Sequence, residues 1–592
     1  MIKFNKQQLE AINHDENPCL VVASAGSGKS TVIVNRIKRL IDEGKGNIIA
    51  ITFTRNSAKD LKRKLKELGI SEDNIIVGTF HAVCGKILSL EGIYSHEKIK
   101  DYEVENLFNK LSPDEAVDMQ DVKSFISYQK NYMRSYTDEF VPKESNYTTD
   151  ELRKFYKAYE DFKKSKGTID LDDMLLKAYE ILKENPNKYT CDYLLCDEHQ
   201  DANLIQNKLV KLLCPSRNIM VVGDFKQAIY GFRGGIPEMF MEFDKTFVGT
   251  KVIHLDYNYR SRHQIVENAN DFIKNYYGTY EHYSDSKPVI YEDADIDWDA
   301  HGDIEEEAET VIGKIKEYLA EGIEPAEIAV LYRNNTQIQF IENELKLEGI
   351  DYFIEKNGGF FQRKEINMIL CMLRLISNNE DNVAFENIVL SRIHYFKFFK
   401  KTFMGDVRRM AGKMDVSYLE ASEMITGLQP WAKKNILAFS DAIARMTQQY
   451  HNDVPLAIII DNIINILSLT SYLEEHYQGD ELDDRLESVE NLKKFIRGNT
   501  VDSFLKYIYS SNDKKKNDRK SVQLMTIHKS KGLEFKKVLM IGVSDGKFPS
   551  SKSESIEEEA RLFYVGITRS KESLYLSQIG INSLFINQYM EL

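Results

Sequence analysis

No apolar run in this 592-residue sequence approaches the roughly 20 residues that a membrane span needs. Its first residues, M-I-K-F-N-K-Q-Q, lack the apolar stretch of a secretory signal. Cysteine is sparse: Cys19, Cys84, Cys191, Cys196, Cys214 and Cys371 are scattered and form no C-x-x-C pair. That argues against a bound metal or cluster, and a reduced, cytoplasmic protein is the expectation. There is no internal repeat, low-complexity tract, long tail or nuclease constellation. Positive charge is in deficit, with 78 Lys and Arg against 92 Asp and Glu and a net charge of −14. Such a balance counts against a polyanionic partner only if charge is spread evenly, because nucleic-acid grooves are local. It is not: residues 59–66 and 514–520 are basic, whereas 292–309 and 554–559 are acidic.

What is present begins with a loop. Between Val21 and Thr31 the chain reads V-V-A-S-A-G-S-G-K-S-T, after an apolar strand at 19–22 and before a helix carrying Val32, Ile33, Ile37, Leu40 and Ile41 at helical spacing. Backbone N–H groups of such a loop, here Ala23, Ser24, Ala25, Gly26, Ser27, Gly28, Lys29, Ser30 and Thr31, wrap a polyphosphate, and the helix adds its positive dipole end. Lys29 is placed to reach the β- and γ-phosphates and the Ser30 hydroxyl to sit on Mg²⁺. Ala23 stands where the strict pattern has glycine, and a small-residue strand-to-helix turn is the plainer alternative. The reading is a nucleoside triphosphate with Mg²⁺.

Apolar residues make up 42% of the chain and aromatics 11%, enough for several cores, and the length suggests about four domains. Strand-then-helix units recur in two blocks, the first with strands at 19–22, 48–53, 75–79, 193–197, 219–223 and 252–255. The second has strands at 328–332, 522–526, 538–543 and 573–577. The pattern predicts an α/β protein with parallel sheets covered on both faces. Two charged, Tyr-rich stretches, 92–167 and 379–518, have mostly helical patterning and read as inserted subdomains. The acidic stretch 292–309 reads as the passage between the two blocks, and N-D-K-K-K-N-D-R-K at 512–520 as a loop returning from the second insertion.

Three further segments carry chemistry. L-L-C-D-E-H-Q-D at 194–201 puts two carboxylates where a buried strand ends, the edge at which ligands gather in an open α/β sheet. Asp197 can hold Mg²⁺ directly or through its second shell, and Glu198 can polarise an attacking water. Read alone, the segment is also compatible with an acidic surface turn. V-V-G-D-F-K-Q-A-I-Y-G-F-R-G at 221–234 follows another strand. Gln227 can sense the γ-phosphate, and Tyr230 and Phe232 beside Arg233 suit stacking on unpaired bases; packing in a core turn is the alternative. E-E-A-R-L-F-Y-V-G-I-T-R-S at 558–570 places Arg569 just past a helix, where it can neutralise charge on a transferred phosphoryl group. Taken singly, it reads as a surface arginine.

In this order the segments resemble the UvrD/Rep/PcrA family of superfamily 1 DNA helicases over almost the whole chain. The resemblance includes F-N-K-Q-Q-L-E-A-I at 4–12, A-I-T-F-T-R-N-S-A at 50–58, V-G-T-F-H-A at 77–82 and L-D-Y-N-Y-R-S-R at 255–262. It extends to A-V-L-Y-R-N-N at 329–335, G-G-F-F-Q-R-K-E-I at 358–366 and V-Q-L-M-T-I-H-K-S-K-G-L-E-F at 522–535. It implies two RecA-like parallel-sheet cores, each with a mainly helical insertion. The first core would span 1–91 and 168–285 with its insertion at 92–167, the second 286–378 and 519–592 with its insertion at 379–518. It further implies that Gln8 reads adenine, Tyr259 stacks on it, Arg260 contacts the γ-phosphate and Glu534 the ribose. Phe53, Thr54, Thr79, His81, Tyr230, Phe232, Arg233 and His528 would hold single-stranded DNA.

The implied activity is an ATP- and Mg²⁺-dependent 3′–5′ DNA helicase acting at junctions with a 3′ tail. The alternatives are a single-strand translocase that unwinds poorly and a motor subunit working with a partner nuclease in repair or defence. Departures from the family pattern are His199 for an aromatic, Ala202 for Thr, Phe232 for Trp and Thr31 for an arginine, the last expected to weaken nucleotide affinity. Both insertions read as short, and the chain as a compact member without a C-terminal extension.

Overall fold

The computed structural model describes residues 3–15, 17–71, 75–93, 101–111, 117–143, 145–354, 360–399, 402–477, 479–496, 500–510, 520–551, 553, 555–580 and 582–590. The expected basic loop at 512–520 lies, apart from Lys520, outside them, as do the first two residues of the 358–366 segment.

The chain forms two six-stranded parallel sheets, and RecA-like cores are what the fold contains. The first sheet comprises β1 (Cys19–Ala23), β2 (Ile48–Ile51), β3 (Ile75–Gly78), β4 (Tyr193–Cys196), β5 (Ile219–Gly223) and β6 (Lys251–Leu255), in the order β3-β2-β4-β5-β1-β6. Its central strands are unbroken apolar runs because both faces are covered, which removes the polar alternation of a half-exposed strand. Successive side chains still point to opposite faces. Cys19, Val21 and Ala23 pack with Ile33, Ile37 and Leu40 of the helix Lys29–Asp42. Leu20 and Val22 face the opposite layer with Phe80, Leu175 and Leu209.

Next come β7 (Tyr257–Arg262) and β8 (Lys287–Ile290), a separate two-stranded ribbon, and then β9 (Asp295–His301), β10 (Ile328–Tyr332), β11 (Tyr352–Ile354), β12 (Val522–Thr526), β13 (Phe535–Met540) and β14 (Ser570–Ile579). The second sheet takes β9 to β14. The acidic passage thus contains an edge strand, β9, whose Asp295, Asp297 and Asp299 place charge on the sheet margin and discourage pairing with another chain.

The chain divides into two compact units. Unit 1 is Met1–Asp303, Glu327–Arg333 and Met525–Leu592; unit 2 is Ile304–Ala326 and Asn334–Leu524. Unit 1 holds the whole first sheet together with β9, β10, β13 and β14. Inside it the helix His263–Tyr277 packs on the helix Ile556–Ile567: the rings of Phe272 and Phe563 lie 4.7 Å apart, and Tyr277 OH donates to Glu557 O at 2.9 Å. One apolar cluster therefore runs from Leu20 and Val221 to Val538 and Leu574. The 92–167 stretch forms the helices Asp101–Leu111, Met119–Asn131 and Thr149–Lys166 around Val104, Phe108, Val122 and Phe155. In unit 2, helices from Asn382–Ser391 to Val501–Ser510 occupy the stretch between β11 and β12, and β11 pairs in parallel with β12 from Tyr352↔Val522 to Ile354↔Leu524.

Among the described residues no single helix is long and apolar enough to cross a membrane. The six cysteines are buried and form no disulfide.

Candidate functional site

The loop between β1 and the helix Lys29–Asp42 is held from outside as well as by its own sequence. Gly28 caps that helix at φ +82°, a left-handed conformation that a side chain would strain. Gly26, at φ +68°, admits no side chain either, because a Cβ there would come within 2.8 Å of Arg260 Cβ and 2.9 Å of Asn258 Oδ1. Asn258 on β7 makes the close approach useful. Its amide donates to Ala25 O at 3.0 Å and its Oδ1 accepts from Arg260 N and Ser261 N at 2.8 and 2.9 Å. Tyr259 N donates to Gly26 O at 3.0 Å. From the other side Gln8 Nε2 donates to Ser27 O at 3.1 Å, and Asn5 Nδ2 donates to Tyr259 OH at 2.8 Å. Ala23, Ser24, Ala25 and Ser27 are buried, whereas Lys29, Ser30 and Thr31 open the helix partly exposed, and the Ser27 hydroxyl lies buried with no hydrogen-bond partner. Gln8, Tyr259 and Arg260 thus border the loop that the sequence assigns to the nucleotide.

The carboxylates stand at the end of β4. Asp197 N donates to Ile51 O at 2.8 Å, and Glu198 adopts a left-handed conformation at φ +52° with its N–H on Asp197 Oδ1 at 3.0 Å. Gln200, fully buried, donates to Glu198 Oε2 at 2.6 Å and accepts from Asp224 N at 3.1 Å. The sequence reading missed Gln200, although its place two residues past the pair was visible. Burial, and next the adjacent Glu198 charge, push the Asp197 carboxyl well above the usual range. For Glu198 burial also opposes ionisation, but Lys29 and Lys531 outweigh it and hold the group low. Two adjacent carboxylates, one held charged and one resisting charge, form an oxygen-donor site that a hard cation would complete. Asp197 fits Mg²⁺ in this sense, and Ser30 would bring a hydroxyl oxygen from the start of the helix Lys29–Asp42.

Across the cleft Arg569 is 1% exposed, not the surface arginine that its sequence context suggests. Its guanidinium donates to Val565 O (2.8 Å), Leu533 O (3.2 Å), Thr568 Oγ1 (3.0 Å) and Gln227 Oε1 (2.8 Å). Burial lowers it to about 9, which leaves it charged at neutral pH. Gln227 in turn donates to Asp224 Oδ2 at 2.7 Å. Arg260 donates to Glu534 Oε2 at 2.8 Å and to Thr568 O at 2.9 Å, while Lys571 lies 3.2 Å from Glu534 Oε1. The structure therefore brings Lys29, Asp197, Glu198, Gln227, Arg260, Glu534 and Arg569 around one cleft. A residue to which the sequence reading gave no role, Lys531, crosses it too: its ammonium pairs with Asp201 and donates to Gln227 O at 2.6 Å.

A row of rings lies beside this cleft. Phe53 stacks on Tyr230 with centroids 4.9 Å apart, Tyr230 meets Phe232 at 6.1 Å, and Phe232 meets His528 edge-on at 5.9 Å. The Arg233 guanidinium is 5.3 Å from both the Tyr230 and Phe232 centroids, and Lys531 is 5.2 Å from Tyr230. Phe232 is 55% exposed, so the row offers a free face rather than core packing throughout. Burial, then Arg333, Arg233 and Lys531, push His528 down to about 3, so it is a neutral ring at physiological pH. Thr54 and Thr79 cap the helices Arg55–Glu67 and Phe80–Leu90, and His81 Nε2 lies buried without a partner. His199 is packed edge-on against Phe240 and Phe243 and bonds Asn207 Oδ1 at 3.0 Å; burial lowers it to about 4, so it fills the aromatic's place as a neutral ring.

A mononucleotide-type loop, an acidic pair, a glutamine touching an arginine from a second core, and a basic-aromatic row define a nucleotide-driven motor acting on nucleic acid. Comparison with known proteins agrees. The N-terminal domain model of UvrD/REP helicases matches residues 4–248, and the C-terminal domain model of UvrD-like helicases matches 253–397 and 433–580. The chain is 30% identical over 630 residues to the ATP-dependent DNA helicase PcrA of Bacillus subtilis (strain 168), covering 98% of this chain and 83% of that one. It is 31% identical over 637 residues to the ATP-dependent DNA helicase Rep of Buchnera aphidicola subsp. Acyrthosiphon pisum (strain APS), covering 97% and 95%. With DNA helicase II of Escherichia coli (strain K12) identity is 29% over 629 residues, covering 98% and 85%. The chain belongs to the UvrD/Rep family of helicases.

Proposed function

We propose that this chain, an ATP-dependent DNA helicase by family, steps 3′ to 5′ along single-stranded DNA and opens duplex at junctions with a 3′ tail. The observation that carries the reading is the segment Asp224 to Arg233. At one end its Gln227 bonds Arg569 of the second core; three residues on, its Tyr230 belongs to the ring row and lies under Lys531. Nucleotide and strand would be sensed by the two ends of one rigid turn.

In this reading the loop 23–31, with Gln8 and Tyr259 for the base, binds ATP in unit 1. Lys29, Arg260 and Arg569 answer the charge on its phosphates from both cores, and Glu198, held ionised, orients the attacking water and takes up its proton. Ser30 and Asp197 would hold Mg²⁺, which, when bound, neutralises oxygens of the β- and γ-phosphates. Closing the cleft around the triphosphate and releasing it after hydrolysis alternates the grip on bases along Phe53, Tyr230, Phe232 and His528, with backbone contacts from Thr54, Thr79, His81 and Arg233. Opening a base-pair step costs about 1.4 kcal/mol on average. That lies far below what ATP hydrolysis releases, so coupling geometry rather than energy limits unwinding. A cytoplasmic location suits this chemistry and the six reduced thiols.

The test compares unwinding of 3′-tailed, 5′-tailed and blunt duplexes, beside ATP turnover with and without oligo-dT. Unwinding restricted to the 3′ tail, with turnover stimulated by oligo-dT, is expected. Stimulated turnover and translocation without unwinding would select the translocase alternative, and activity appearing only with a partner nuclease would select the subunit alternative. Turnover indifferent to oligo-dT would refute the motor.

A further inference from the structure

One buried cation in unit 1 has no place in this scheme. Lys226, between the capping Asp224 and Gln227, is 2% exposed. Its ammonium donates to Ser284 O at 3.0 Å and lies 3.5 Å from the hydroxyl of Ser24, in the phosphate loop. The rings of Tyr283 and Tyr564 flank it with centroids 5.4 and 5.8 Å away. Among the described residues no carboxylate closes an ion pair with it.

The groups that face it explain why. Its nearest carboxylates, Asp224, Asp256 and Asp285, act on it only at a distance and are each engaged elsewhere. Asp224 accepts from Gln227 and from Lys226 N, Asp256 from Gln7 and Ser284, and Asp285 from Tyr283 OH. Lys29 faces it with a like charge, and His254 is a further neighbour. A desolvated ammonium without a paired counterion is disfavoured in a fold; Ser284 O, the two rings and the three distant carboxylates offset the burial of Lys226 only in part, so its basicity stays below the ordinary value. The ammonium sits against the loop that the sequence assigns to the triphosphate, 3.5 Å from the Ser24 hydroxyl. Residues 23–31 carry a single cation of their own, Lys29.

We propose that Lys226 is a positioning residue for the triphosphate: from behind the phosphate loop it fixes Ser24 and adds a further fixed positive charge, beside that of Lys29, that is fully answered only when ATP binds. The proposal rests on the reading of that loop as the ATP site. Two consequences separate it from a packing role. Neutralising the side chain at constant shape removes an uncompensated buried charge, so the free protein gains or keeps stability. The bound state loses a cation in a low-dielectric setting, so affinity for ATP falls.

The experiment measures KM and kcat for ATP at saturating oligo-dT, and thermal unfolding without nucleotide, for the full chain and for Lys226→Met and Lys226→Gln. Both variants are expected to raise KM about tenfold, the scale of one screened charge near a polyanion, with a smaller effect on kcat and a melting temperature equal or higher. Gln keeps a hydrogen-bonding end, so a KM effect in Met alone would make this a hydrogen bond rather than a charge and overturn the electrostatic claim. Unchanged KM in both variants, or a lower melting temperature with unchanged KM, would also overturn it. Lys29→Ala serves as the control for the underlying reading: turnover surviving in that variant refutes the ATP site itself, whereas its loss beside a normal KM in the Lys226 variants refutes only the role of Lys226.

Discussion

Lys531→Met tests whether the two cores in unit 1 are joined by a specific charge. The Asp201 side chain is fully buried, and that of Lys531 is 7% exposed. Asp201 Oδ1 has no hydrogen-bond partner, so removing the ammonium leaves the buried carboxylate with only a backbone hydrogen bond from Ile229. Breaking a buried pair from one side costs about 3–5 kcal/mol, mostly the cost of the charge left behind. Little screening discounts this value at such burial, and the lost bond to Gln227 O adds to it. Burial already raises Asp201 to about 6 with Lys531 present, and without the cation it rises further. Because the folded state then takes up a proton that the unfolded chain does not, stability of the variant increases as pH falls, by about 1.4 kcal/mol per unit in the range between the two values. The variant should therefore be strongly destabilised near about pH 8 and recover toward about pH 5.5, a range that spans the shifted carboxyl. Asp201→Asn combined with Lys531→Met should recover much of the loss at either pH. Urea unfolding can be followed at Trp298, which packs against the unit 1 core, in a Trp431→Phe background that silences the only other tryptophan. A cost under about 1 kcal/mol near pH 8, the range of an exposed pair, or a cost independent of pH, would show that Lys531 and Asp201 do not act as a buried charge pair.

Three further outcomes are expected. Glu198→Gln should keep ATP binding but lower turnover by about two to four orders of magnitude, the usual worth of a positioned base, as read by single-turnover hydrolysis; a near-normal rate removes Glu198 from catalysis. Tyr230→Ala with Phe232→Ala should weaken binding of fluorescent oligo-dT by about 1–3 kcal/mol per lost ring, and unchanged anisotropy titrations would make those rings core packing. Asn258→Ala removes the strap from Ala25 O to Arg260 N and should raise KM for ATP while costing about 1–3 kcal/mol of stability from the buried groups left unpaired; a change in neither quantity would show that the loop holds its shape unaided.

The first sheet was legible because its strands are buried on both faces. CLVVA, IIAI and IMVVG are continuous apolar runs between helical patterns, and only end residues shifted, as at 48–53, where the strand stops at Ile51. Strands with ordinary polar faces were not legible. Tyr257–Arg262 reads as Y-N-Y-R-S-R because its side chains serve the phosphate loop and the cleft rather than an apolar core. Asp295–His301 alternates acid with apolar residues because it is an edge. The site residues with a family motif behind them could be placed in advance. Asn258 and Lys531 could not, since their partners lie in distant segments: Asn258 is 233 residues from Ala25, and Lys531 is 330 from Asp201. Arg569 was the reverse case, its position expected but its burial not, because four acceptors in three segments are needed to keep a guanidinium inside.

The proposed coupling between strand and nucleotide would reside in residues 224–235. Successive 3₁₀ turns stiffen the segment: Gln227 N donates to Asp224 O at 2.9 Å, Arg233 N to Tyr230 O at 3.0 Å and Gly234 N to Gly231 O at 2.7 Å. Each turn is tied to a different body. Gln227 reaches Arg569, Tyr230 stacks on Phe53, and Arg233 O accepts from Asn131 of the helical insertion at 3.2 Å, with Asn131 in turn bonded by Asn203 at 2.9 Å. A segment so short and so fully bonded cannot absorb a displacement at one end by bending. If the second core withdraws Arg569 and Lys531 when the γ-phosphate leaves, either the bonds to Gln227 break or the ring row moves with them. In the proposed cycle both outcomes would change the face that Phe232 presents to a base, so a grip on DNA that depends on the nucleotide would need no further moving part.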